Sequence, residues 1–429
     1  MPDKHATKLN SSSIFKNMLV LATGSGIAKI IGIASIPVIT RIYSPEHLGA
    51  LAVFVAMAAL LVPFGTLRYS VALPLPKSDA LALNLAVASF AFLIIVSLLS
   101  IIVMGFAAEP IMNLLSMPSL IPYWWLLPIA IFGAGLYEML NSWAIREKAF
   151  KPLAKTKIWQ SILGAITKIG LGLIGLKPAG LLIGHIVTQS AGILSLGKIL
   201  LSKLKLHQTK ITKKRINFLL KRYREYPKYR LPSQFLLVFS MHAPLLFSAW
   251  LFGAEVTGQL GLALMALALP IALFGNTTGQ AYYAEIAKLG RKQPEKIYQI
   301  TKTVTLKLFL VSIPPFLILL FLGPWLFELV FGSEWGQAGL FASILAIYLL
   351  MQFISAPIVN ALSVFEQQLE FLMINVRRSI LIVIVFSTAY YLSFDSITTL
   401  VTFSIVLAFH YFWVTFTIFR VIKKCSSIA

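Results

Sequence analysis

The sequence predicts an all-α polytopic membrane protein of about twelve transmembrane helices. Three observations carry that reading. Hydrophobic residues make up 58% of the 429-residue chain and charged residues only 12%, about half of the roughly 25% charge usual in soluble domains. Apolar runs of about 20 residues, the length a helix needs to cross the hydrocarbon core, recur from end to end. Basic residues collect in alternate connections between those runs.

The candidate spans cover 17–39, 48–67, 81–106, 120–145, 158–176 and 180–201. After a polar stretch they resume at 232–252, 257–279, 304–322, 338–364, 377–393 and 396–419. The N-terminus is polar and basic, and the first apolar run is too long for a signal-peptide core, so it reads as a first span. With the N-terminus placed inside, 32 of the 37 lysines and arginines fall on one side, from the N-terminal tail to Arg420, Lys423 and Lys424. The opposite loops hold Arg41 and Lys177 beside Glu46, Glu109, Glu255, Glu328, Glu334 and Asp395. This asymmetry predicts both termini in the cytoplasm. The net charge of +22 is therefore orientation and contact with anionic lipid, not a nucleic-acid footprint. One cysteine, Cys425, excludes a disulfide framework and a thiolate metal cluster.

The longest polar stretch divides the chain into an N-terminal half, 1–202, a linker, 203–231, and a C-terminal half, 232–429. Ile211, Ile216, Leu219, Leu220 and Tyr223 recur at helical spacing among basic residues, which predicts an amphipathic helix on the cytoplasmic face, ended by Pro227 and Pro232. The halves echo each other. Glu46, Gly49 and Leu51 match Glu255, Gly258 and Leu260, and Asn141 and Glu147 match Asn360 and Glu366. Six spans preserve orientation, so these are parallel repeats, which usually enclose a site near mid-membrane.

Five ordered segments carry a resemblance: RIYSPEHLGALAVF from Arg41, LRYSVALPLPKSDALALNL from Leu67, NSWAIREKAFKPLAKTKIWQS from Asn141, YREYPKYRLPSQFLL from Tyr223 and FGSEWGQAG from Phe331. Together they resemble the Wzx-type polysaccharide-unit flippases of the multidrug/oligosaccharidyl-lipid/polysaccharide exporter superfamily. That resemblance implies two pseudo-symmetric six-helix bundles around a central cavity in a bacterial inner membrane. It also implies an undecaprenyl-diphosphate-linked glycan as substrate and, as partners, a polysaccharide polymerase and chain-length proteins. One position departs from the pattern: the acidic residue that often follows the Arg-Tyr pair is Ser70 here.

A charge at mid-bilayer costs at least about 2.5–3.5 kcal/mol, so ionisable residues there face a cavity or a partner. Lys29 and Lys168 lie deep in spans one and five. One reading has them hold a diphosphate or acidic sugars as point charges. The other pairs Lys168 with Glu138, or lets a lysine snorkel to the interface. Arg41 and Arg68 stand at span ends, where interfacial anchoring competes with ligand binding. Glu138 and His242 are candidates for proton coupling, against a structural ion pair and an ordinary hydrogen bond. Asn141, Asn276 and Gln280 suit sugar hydroxyls, with helix-to-helix bonding as the alternative.

No Walker motif follows Gly24–Gly26, the histidines form no HExxH, and no cofactor or metal is expected. An enzyme reading would call for a large outer loop with catalytic groups, and the longest outer loop, 323–337, is short and aromatic. Two transporter alternatives stay open. A cation-coupled multidrug antiporter would want acidic groups in the cavity, and a lipid II flippase would usually bring further C-terminal spans.

Overall fold

The computed structural model of the protein describes residues 11–270 and 275–426. The described residues form helices and turns, with no strand among them. In chain order the helices are α1 (Ser11–Ile42), α2 (Pro45–Gly65), α3 (Asp79–Leu114), α4 (Leu126–Arg146), α5 (Phe150–Leu173), α6 (Ala179–Ser190), α7 (Ile193–His207) and α8 (Lys213–Arg222). They continue as α9 (Leu231–Pro270), α10 (Asn276–Leu289), α11 (Pro294–Phe331), α12 (Gly336–Ile358), α13 (Ala361–Val364), α14 (Gln368–Tyr391) and α15 (Ser396–Ser426). Eight stretches among the described residues are long and apolar enough to cross a membrane. The chain is an all-α polytopic membrane protein.

Several elements differ from the sequence expectation, but the division between spans 232–252 and 257–279 is met by two helical segments of α9 that join at Gly253 (φ 79°, ψ −171°). A left-handed φ of this kind suits glycine, which has no Cβ to clash. Part of the second of those spans, 271–274, lies outside the described residues. The expected span 180–201 is split into α6 and α7 at Ala191 and Gly192, with Gly192 at φ 107°. Helices α5 and α14 begin at Phe150 and Gln368, well before the expected 158 and 377. Hydropathy registers only the apolar part of a helix, whereas both helices start among charged residues. Pro227 and Pro232 lie in helical turns at the start of the α9 segment rather than in a break after α8, as suits proline near a helix N-terminus.

The described residues cluster into two compact units. The first holds the chain up to Tyr43 with Met57–Met112 and Pro118–Phe235. Within it α1 runs along α5, and α5 along α6. A Cβ on Gly24 of α1 would come 2.6 Å from the Ala154 Cβ on α5, which shows how closely these helices approach. At one end of the unit Trp143, Tyr69, Leu73, Leu83, Leu153 and Leu219 form a buried core. Leu219, with Leu220 and Tyr223, turns the apolar face of α8 onto this core, so the amphipathic linker helix is docked on protein. The Thr212 side chain caps it by accepting from the Arg215 amide at 3.3 Å. Arg146, at the end of α4, binds the Pro76 carbonyl at 2.6 Å and Asp79 at 3.0 Å. Lys203 of α7 reaches Asp79 at 2.9 Å and Glu147 at 3.4 Å. One charged cluster thus ties the starts and ends of α3, α4 and α7 together.

The second unit holds Ser44–Ala56, Asn113–Met117 and the chain from Leu236. There α12 packs on both α11 and α15. Asp395 precedes α15 and accepts from the Thr398 amide at 3.1 Å. The hydrogen bonds from Thr398 hold its carboxyl below the usual carboxylate range. The N-terminal part of α2 crosses the second part of α9 in the same unit. A Cβ on Gly49 would meet the Ala254 carbonyl oxygen at 1.9 Å, and one on Gly258 would meet the Pro45 carbonyl oxygen at 1.8 Å. The contact is reciprocal: Pro45 stands to Gly49 as Ala254 stands to Gly258. The sequence match of Gly49 with Gly258 is thus a self-complementary helix crossing.

A second repeat shows in the turns. The turn into α5 closes with the Ala149 amide on the Ala144 carbonyl at 2.9 Å, and that into α14 with Gln367 on Leu362 at 2.8 Å. Lys148 and Glu366 each have φ 55°. Helices α5 and α14 are both 24 residues long. They end alike, with Leu176 on Leu171 at 3.0 Å and Phe394 on Ala389 at 2.9 Å. The equivalent of Glu366 is therefore Lys148, one residue away from the Glu147 that the sequence match selects.

Candidate functional site

In the first unit the chain leaves α2 through Leu67 and Arg68, both left-handed at φ 48° and 62°. A short 3-10 turn, Tyr69–Ala72, follows. This geometry aims the Arg68 guanidinium at α4, where it bonds the Glu138 carboxylate at 2.5 Å. Arg68 is 11% and Glu138 28% exposed, and the buried Arg68 Nε has no hydrogen-bond partner among the described residues. Sequence reasoning offered Lys168 as the partner of Glu138; the structure supplies Arg68. Ser70 is fully buried and shares a hydrogen bond of 2.9 Å with Thr66. The guanidinium takes its carboxylate from α4 instead of from its own turn.

Lys29 lies on the exposed side of α1. The residue that accompanies it is Lys157 of α5, close enough for the two ammonium groups to repel each other. Lys157 donates to the Ser25 hydroxyl at 3.1 Å, one turn from Lys29. Neither lysine has a carboxylate partner among the described residues. The expected fifth span, 158–176, starts just after Lys157, because the apolar run of α5 begins only there. The signal that could have found it is its spacing of eleven residues, three turns, from Lys168 on one helix.

Lys168 occupies a different environment. Its Cγ lies 2.3 Å from where a Cβ on Gly184 would be, and its carbonyl accepts from the Tyr43 hydroxyl at 2.7 Å. Lys168 thus helps to lock α1, α5 and α6 together. Arg41 is exposed at the end of α1 and donates to the Pro37 carbonyl at 2.9 Å. Asn141 is half-buried on α4, three residues after Glu138. The Asn276 side chain lies outside the described residues, and Gln280 is exposed on α10. Among the amides, Asn360 binds the carbonyls of Pro357 and Gly279 at 3.1 and 3.3 Å, which is helix-to-helix bonding.

His242 is half-buried on α9, and its Nδ1 has no partner among the described residues. A basic cluster of Arg377, Arg378 and His410 lies on α14 and α15. Arg378 binds the Tyr411 hydroxyl at 3.1 Å and the Ser240 hydroxyl. Arg377 donates to His410 Nδ1 at 3.4 Å and sits 5.6 Å from the Trp413 ring centre. These contacts tie α9, α14 and α15. Among the described residues no group of three or more His, Cys, Asp and Glu could hold a metal ion.

Long apolar helices and repeated helix and turn geometry define a multi-pass membrane protein. The chain belongs to the polysaccharide biosynthesis protein family, whose model matches residues 38–340. No curated protein matches the chain. Solved structures match over nearly its whole length. One is the lipid II flippase MurJ in an inward closed conformation, with a TM-score of 0.72, 15% identity and coverage of 95% of this chain and 90% of that one. Another is an inward-facing multidrug resistance MATE family transporter of the MOP superfamily, with a TM-score of 0.67, 15% identity and coverage of 92% and 95%. A third is a MOP superfamily transporter from Pyrococcus furiosus, described by a binding pocket of reverse polarity, with a TM-score of 0.56, 15% identity and coverage of 95% and 94%. At such identities the likeness is one of fold.

Proposed function

We propose that this protein is a flippase that carries an undecaprenyl-diphosphate-linked oligosaccharide from the cytoplasmic to the periplasmic leaflet of a bacterial inner membrane. The product would feed O-antigen, capsule or exopolysaccharide assembly. Its termini are cytoplasmic, as the charge asymmetry predicts. Residues 1–202 and 232–429 act as two halves joined by 203–231, and a polymerase and chain-length proteins work downstream.

The observation that carries the proposal is the Lys29–Lys157 pair. Lys157 donates to Ser25, one turn from Lys29, and neither lysine has a carboxylate partner among the described residues; lysines so placed are too costly to leave in hydrocarbon. They call for water and for an anion, and a diphosphate is an anion of suitable charge density. Glu138, the carboxylate of the expected fourth span, is paired with Arg68. That leaves the first unit cationic, which disfavours a drug cation as substrate. Lys168 adds positive charge. Arg41, Asn141, Asn276 and Gln280 meet sugar groups, and the Arg68–Glu138 pair and His242 are where a proton would couple.

The test is a leaflet assay in liposomes, following exposure of a fluorescent undecaprenyl-diphosphate oligosaccharide to an external lectin. Wild-type protein is expected to flip it, and K29A/K157A to do so at least about tenfold more slowly, the equivalent of ~1.4 kcal/mol. A double variant that melts normally and flips at the full rate would sink the lysine pair as the anion site. Uptake of a soluble organic cation without lipid movement would favour the antiporter.

A further inference from the structure

The break at Gly192 separates α7 from the line of α6, and a cavity of about 550 Å³ opens between α7, α3 and α4. Its walls are apolar, with Leu83 and Phe90 from α3, Leu136 from α4, and Ile193, Leu201 and Leu204 from α7. The exception is Lys198, which lines it and is exposed. A cavity this size lies within the range of ordinary small-molecule sites. Its position matters as much as its size. The lining residues of α3 lie within the first three turns after Asp79, which Lys203 of α7 and Arg146 of α4 bind. The cavity therefore lies in the apolar part of the unit directly beside its charged end. Two residues of its wall, Leu194 and Leu201, are 84% and 53% exposed. Lys198 and Lys205 are exposed and make no ion pair among the described residues. A smaller cavity of about 220 Å³ in the second unit, lined by Leu267, Pro315 and Phe353 among others, has no charged residue in its wall.

We infer that the cavity between α3, α4 and α7 is a cradle for the isoprenoid chain of a polyprenyl-diphosphate lipid, with Lys198 meeting its phosphate. This rests on the flippase reading and adds where the hydrocarbon part of the substrate is held. Charge complementarity at a fixed depth supports this occupant. An apolar slot of this kind takes a hydrocarbon chain, and a chain lying in it would bring its head to the level of the charged cluster, where unpaired lysines wait for an anion. Gly197 gives direct access to the space, because it lines the cavity and a Cβ there would meet no atom within 4 Å.

The experiment uses the full chain in liposomes with a polyprenyl diphosphate that carries a diazirine in its isoprenoid chain. After illumination, labelled peptides are mapped by mass spectrometry. Labelling is expected within 83–90 and 193–204, and excess unlabelled polyprenyl diphosphate should abolish it. G197W, which fills the slot, should cut labelling and lipid flipping by tenfold or more, and K198E should cut labelling severalfold. Labelling confined to other segments would overturn the inference. So would displacement by phosphatidylglycerol alone, which would make an ordinary phospholipid the occupant, or full flipping by G197W. If G197W fails to fold, the wild-type label map still decides. Labelling without flipping by wild type would leave the cradle standing and remove the flippase reading; flipping without labelling there would do the reverse.

Discussion

A guanidinium cannot shed its proton at any pH the protein meets, whereas a carboxylate can take one up. The two members of the Arg68–Glu138 pair therefore fail differently when one is removed. E138Q leaves a buried cation that has no way to neutralise itself. It should lower stability by up to about 3–5 kcal/mol, the range for breaking a buried pair from one side. R68Q leaves Glu138, which escapes much of that cost by protonation, so its loss should be smaller and should shrink further as pH falls. The double variant R68Q/E138Q should recover most of the E138Q loss. Melting temperatures in detergent for the four proteins check this, and equal losses in the two single variants would show that the charge asymmetry does not matter here. The pair was half-legible in the sequence. Depth along the chain placed Arg68 and Glu138 at the same side of the membrane, but nothing in spacing reveals that two successive left-handed residues turn Arg68 toward α4. Lys157 was hidden for a different reason: polarity at a helix start looks like loop.

Among the elements, the crossing of α2 with α9 makes a sharp demand. A methyl group at Gly49 would land 1.9 Å from the Ala254 carbonyl, and backbone there has no rotamer with which to yield. G49A and G258A should each destabilise by about 1–3 kcal/mol, as overpacking does. Gly26 and Gly32 on α1 are the controls, since a Cβ at either meets nothing within 4 Å. There the same substitution should stabilise by about 0.5–1 kcal/mol through helix propensity. Opposite signs in thermal melts would confirm the crossing, and four similar shifts would refute it. This contact was visible in the sequence as a matched glycine pair, because close approach leaves a residue signature. The α5–α14 equivalence was visible only to within one residue. Turn geometry, not side-chain identity, fixes that register, and the matching of one glutamate to another led the alignment astray.

For the whole molecule, the charge balance makes a prediction about driving force. Fixed lysines do not travel, so an anion that passes them carries its own charge through the field. Each elementary charge gains about 2.3 kcal/mol per 100 mV, roughly fifty-fold in an equilibrium constant. Export of a diphosphate-linked lipid from a negative interior should therefore proceed without ATP. It should speed up when a potassium gradient with valinomycin makes the liposome lumen negative, and slow down when the gradient is reversed. The orientation of inserted protein has to be fixed by protease accessibility of the basic 203–231 segment, because a mixed population would average the two signs. A rate independent of potential would mean that a compensating cation moves with the lipid. Glu138 would then be the first place to look for it, since a proton taken up there would release Arg68 from its partner. That alternative has its own signature: flipping would follow a pH gradient instead, and R68Q/E138Q would flatten the response while leaving lipid binding intact.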